Sequence, residues 1–192
     1  GEPVELTVAG RTDAGVHAMG QVVSFCSSSP RLDCERLRVA LNGMCSTDIR
    51  IQAVTPVADD FNARFSATER MYHYYILNSP LADPLRGDIE WHIPEPLDVD
   101  AMSRAARLFL GEHDFTSFCR RPKGQLEQPL VRNILSSRWV PQTQQRIQFE
   151  IAANAFCHQM VRSLTGFCVA VGLGKLEPEA FEAVIEAKSR AA

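Results

Sequence analysis

Polar and apolar residues alternate along VELTVA (4–9), with Val4, Leu6 and Val8 set against Glu5 and Thr7. That period of two predicts a half-buried strand. QVVSFC (21–26) predicts a second. Asp33 then precedes Leu37, Ala40, Leu41 and Met44 at helical spacing, the pattern of a capped amphipathic helix. Alternation returns in DIRIQAV (48–54), a third strand, and Asp59 to Ala63 reads as a connector.

Beyond the connector, RMYHYYILN (70–78) sets Tyr72, Tyr74 and Ile76 on one side and Met71, His73, Tyr75 and Leu77 on the other. Pro94 and Pro96 lead into a helix capped by Asp98 or Asp100, with Met102, Ala105, Leu108 and Phe109 on its apolar face and a stop at Gly111. NILSSRWV (133–140) and RIQFEIAA (146–153) predict two more strands. Residues 155–171 carry Phe156, Met160, Leu164, Phe167 and Val171 at near-helical spacing, and a last helix opens with Pro178 in its first turn. The pattern predicts an α+β protein of two halves, residues 1–58 and 59–192, each a sheet with helices on one face.

Composition narrows this picture little. The chain has 192 residues, 45% apolar and 22% charged, ordinary values for a globular protein with a sizeable core. No apolar run approaches the ~18 residues of a membrane span. The N-terminus has neither an initiator Met nor a signal-peptide pattern, so the chain is expected to be trimmed. Six cysteines without a C-x-x-C pair are expected to be reduced, mostly buried thiols of a cytoplasmic protein. The scattered histidines give no metal-binding spacing, and no cofactor motif is recognisable.

Net charge is −3, which does not by itself advertise a nucleic-acid binder. Its distribution is uneven. Between Ser117 and Arg138, five basic residues (Arg120, Arg121, Lys123, Arg132, Arg138) face one acid, Glu127. That segment is either a solvated face or a phosphate-binding surface.

The loop AGRTDAGVHA (9–18) carries Arg11 and Asp13 between two glycines. Gly10 and Gly15 have the spacing of a Walker A loop, but Val16-His17 replaces the lysine and hydroxyl residue that would bind phosphate and magnesium. Asp13 is then either a turn residue or an ionised carboxylate presented for chemistry. Taken alone, the residues leave these alternatives open.

AGRTDAGVHA (9–18), ARFSATERMYHYYI (63–76), FLGEHDFTSF (109–118) and ANAFCHQMVRSLTG (153–166) resemble, in order and spacing, the signature segments of the bacterial tRNA pseudouridine synthase A family. The resemblance implies an enzyme that isomerises uridine to pseudouridine in the anticodon stem-loop of tRNA (positions 38, 39 and 40), working as a homodimer without a cofactor. It implies two ferredoxin-like halves with joined antiparallel sheets and a cleft between them. Asp13 would be the essential carboxylate, and Arg11 would handle the flipped nucleotide. Tyr72 would pack against the base and is a candidate for proton transfer. Arg162 would be the ion-pair partner of Asp13, approaching it across the cleft. Arg120, Arg121 and Lys123 are the expected tRNA-binding surface. Family members carry a segment before VELTVAG and another after the AAKSR helix, so the first half is expected to lack a strand and its covering helix. A catalytically silent RNA-binding protein and an aspartate-nucleophile hydrolase are the rival readings.

Overall fold

The computed structural model describes residues 3–29, 32–121 and 128–190. The chain forms two compact units of mixed α/β structure. One comprises Gly1–Thr12 and Ala18–Ala67, the other Asp13–His17 and Thr68–Ala192.

In the first unit, β1 (Thr7–Val8) pairs antiparallel with β2 (Val23–Ser24). The helix α1 (Cys34–Met44) is capped as expected, the Asp33 side chain accepting from the Arg36 N–H. No residue of α1 is buried. The expected strand at 48–54 is absent: among the described residues this segment belongs to no strand. Its local reason is the Asn42 side chain, which accepts from the Ile51 N–H at 2.8 Å and donates to the Ile51 carbonyl at 2.9 Å. An amide side chain therefore satisfies the backbone groups that a neighbouring strand would otherwise pair.

The second unit is built on β3 (Arg70–Asn78), β4 (Trp91–Ile93), β5 (Gly111–Asp114), β6 (Val131–Pro141) and β7 (Arg146–Ala153), in sheet order β4-β3-β7-β6-β5. The sheet is mixed, not antiparallel throughout, because β4 runs parallel to β3. Tyr72 faces Ile151 and Tyr74 faces Phe149 in the β3–β7 register, so the apolar side read from the alternation forms one sheet face.

Helices α2 (Val99–Leu108) and α3 (Met160–Gly172) cover that face, and α4 (Ala180–Ala187) adds Phe181. Phe109 meets Phe149, Phe167 and Phe181, and Trp139 stacks on Phe149 at 4.8 Å. α2 and α3 approach closely where Gly172 meets Met102; a Cβ there would lie 2.7 Å from the Met102 sulfur. Asp98 caps α2 through the Ala101 N–H, and its own N–H donates to the Gly172 carbonyl at 2.9 Å. No helix among the described residues is long and apolar enough to cross a membrane.

The alternation did not reveal β4 and β5, which are too short to show a period. The cysteine expectation is corrected as well: Cys119 and Cys157 form a disulfide, and Cys26 is exposed. Cys168 is buried as expected, and burial pushes its thiol up to about 12.

Candidate active site

The Asp13 loop is a tight turn. The Val16 N–H donates to the Asp13 carbonyl at 3.2 Å, and Gly15 has φ +82°, the value a type II turn requires at its third position. Glycine reaches that conformation without steric cost. The turn leaves the Asp13 side chain 31% exposed, with Oδ1 3.2 Å from Nε2 of His158.

His158 belongs to the segment between β7 and α3. Asn154 anchors its start, exchanging backbone hydrogen bonds with Asn133 through its own N–H and side chain. The Asn154 carbonyl accepts from the Arg70 guanidinium at 2.8 Å. Cys157 is bonded to Cys119, and the His158 carbonyl accepts the Arg120 N–H at 2.9 Å. Gln159 then takes a left-handed conformation, φ 64°, and α3 starts at Met160. That bend explains why the helix begins five residues later than the apolar spacing from 155 predicts.

Tyr72 lies on the same unit, its ring edge-to-face with Phe156 at 5.1 Å. Burial raises its phenol pKa; the positive charge of Arg70 opposes this and the carboxylate of Asp13 adds to it. Asp13 and Tyr72 therefore share one electrostatic environment, in which the phenol keeps its proton at neutral pH.

Residues 2–66 and 105–192 match the tRNA pseudouridine synthase family. The chain belongs to that family. It is 40% identical over 190 residues to a tRNA pseudouridine synthase A of Methylacidiphilum infernorum, covering 98% of this chain and 73% of that protein. Proteins of the same name from Moorella thermoacetica (41% over 190 residues, 99% and 76%) and Francisella tularensis (42% over 188 residues, 97% and 71%) are similarly related.

The residues that the pseudouridine synthase resemblance singles out are distributed as follows. Asp13 and Tyr72 occur together in the second unit. Arg11 is exposed and belongs to the first. Arg162 sits in the first turn of α3, exposed, and among the described residues it makes no ion pair with Asp13. The described contact of Asp13 is with His158, which the left-handed bend at Gln159 leaves in the loop while Arg162 is carried on the helix. Arg120 is exposed beside His158 in the backbone pairing. The Arg121 guanidinium donates to Thr116 Oγ1 at 3.0 Å and to the Gln128 carbonyl. Lys123 lies outside the described residues.

Sequence reasoning missed His158 and Arg70. A lone His158 has no metal-ligand spacing to single it out. Arg70 could have been found from the alternation, since it shares the side of β3 that carries Tyr72.

Proposed function

We propose that this chain converts uridine to pseudouridine in tRNA, acting on the 3′ side of the anticodon stem-loop, with Asp13 as its nucleophile. The observation that carries the reading is the Asp13 carboxylate held by His158 beside a protonated Tyr72, in a chain whose relatives are tRNA pseudouridine synthases A. The bond from N1 to ribose C1′ breaks with its electron pair left on N1, which takes up a proton; the base turns, and C5 bonds to C1′ while the C5 proton leaves. Such an isomerisation consumes no redox carrier and no ATP.

The uridine must leave its stack to be reached. Arg11 supports the extruded nucleotide, and Tyr72 offers its ring to the base as a neutral phenol. A phenol with a raised pKa is a weak base at neutral pH, so Tyr72 serves in packing before proton removal. Arg162 serves as the ion-pair partner of Asp13, and the exposed Arg120 contacts phosphates, with Arg121 and Lys123 extending that surface. The fold this reading implies is a pair of ferredoxin-like halves, and the working unit is a homodimer in the cytoplasm, where its substrate is.

Release of tritium from C5-labelled uridine in unmodified tRNA tests the proposal. The chain releases tritium, and Asp13→Asn abolishes release while keeping tRNA binding. Binding without release by the unaltered chain would leave a silent RNA-binding protein.

A further inference from the structure

Arg132 of β6 is a half-buried cation to which the described residues offer no anion. Its Nη1 donates to the Val131 carbonyl at 2.6 Å, and its buried Nε has no hydrogen-bond partner among them. A guanidinium has five N–H donors, so most of its capacity is unused. Burial lowers its pKa, and no carboxylate opposes that effect. Register explains why. Arg132 pairs with His113 of β5, whose Nε2 lies 3.0 Å from the Leu110 carbonyl, and the acids Glu112 and Asp114 fall opposite its neighbours Asn133 and Val131. The Asp114 carboxylate is taken by Thr116 and the Leu130 N–H. A charge drawn into the protein without a partner costs stability. Its use is to a ligand that brings its own negative charge.

The same register places Arg132 relative to the candidate site. Ile134 pairs with Ala153, and Ala153 with Arg70. Arg132 lies two residues from Ile134 and Tyr72 two from Arg70, so both belong to one face of the sheet. Beside Arg132, Asn133 and Asn154 exchange hydrogen bonds. The chain beyond Asn154 carries Phe156, packed on Tyr72, and His158, 3.2 Å from Asp13.

We propose that Arg132 binds a backbone phosphate of the RNA strand that enters the Asp13–Tyr72 site. The proposal rests on the synthase reading above. A phosphodiester supplies the charge that the protein withholds, and its oxygens accept from a guanidinium fork. Such a contact fixes the strand's register without reading its sequence.

Three measurements on the full chain test it: tRNA affinity, the dependence of that affinity on salt, and the urea midpoint. Arg132→Met keeps the apolar stem and removes the charge. It weakens tRNA binding roughly 10-fold and flattens the slope of log affinity against log salt by about one. The urea midpoint does not fall, because an unpaired, half-buried charge has been removed. Arg132→Lys keeps the slope, since one positive charge remains. Arg138→Met, at an exposed arginine already paired with Glu150, leaves the slope unchanged. The proposal is overturned if Arg132→Met keeps the full slope or markedly lowers the midpoint. It is equally overturned if Arg132→Lys or Arg138→Met flattens the slope as much as Arg132→Met. Tritium release is scored separately: an unaltered chain that binds tRNA but releases none overturns the synthase reading, and the salt slope still decides the role of Arg132.

Discussion

The carboxylate of Asp13 bears on the ionisation of Tyr72. Burial is the larger reason that the phenol is hard to ionise, the Arg70 charge works against it, and Asp13 adds to it. Replacing Asp13 by Asn removes one of the two effects that raise the phenol pKa. The Tyr72 midpoint therefore falls in Asp13→Asn while staying above that of a free phenol, as followed by the 13Cζ resonance. An unmoved midpoint would separate the two side chains electrostatically. Tyr72→Phe keeps the ring and its edge contact with Phe156, so it retains far more tritium release than Tyr72→Ala.

Arg146 is tied to both oxygens of Glu90, at 2.8 and 3.0 Å, and also reaches Asp83. The Glu90 side chain is almost wholly buried. Without Arg146 the buried Glu90 charge keeps only the longer contact to Arg86 Nε at 3.4 Å, whereas replacing both members removes the buried charge. Arg146→Met lowers the urea midpoint markedly, and Arg146→Met with Glu90→Leu recovers roughly half or more of the loss. Equal midpoints for the single and double variants would contradict the pairing.

Cys119 and Cys157 close a loop with a sequence separation of 38. A crosslink of that span stabilises by about 2–4 kcal/mol, so reduction lowers the melting temperature reversibly. Of the six cysteines, four are free. Thiol titration of the denatured, unreduced chain therefore counts four, rising to six after reduction. In the native chain at pH 8 the exposed Cys26 is alkylated, while Cys168, buried and with its thiol near 12, is not.

Asp114 joins the start of the 3-10 turn Phe115–Phe118 to the Leu130 backbone. Burial alone would raise its pKa. The Thr116 hydroxyl, the Leu130 and Thr116 N–H groups and the charge of Lys188 outweigh burial and hold the carboxyl below its ordinary range. A lowered folded pKa stabilises above the unfolded value, and that contribution is lost as pH falls through the folded value. Asp114→Ala costs about 1 kcal/mol at pH 7, and the difference from the unaltered chain shrinks at an acid pH below the ordinary aspartate range. Urea unfolding at the two pH values measures it.

Where period and capping coincide, the sequence was sufficient. RMYHYYILN is β3 and RIQFEIAA is β7 to the residue, and Asp33 and Asp98 cap the helices they precede. Those features are local: alternation selects a sheet face, and a carboxylate next to free N–H groups selects a helix start. The four segments that resemble the pseudouridine synthases likewise need only the order of residues. Tertiary structure decided what depends on contacts between distant segments. It gave Ile51 to a side-chain amide instead of a strand, joined Cys119 to Cys157, and turned the chain at Gln159. It also brought His158 to within 3.2 Å of Asp13, two residues far apart in sequence. Periodicity reports which side of an element is apolar; it carries no information about which distant side chain the folded chain brings to a carboxylate.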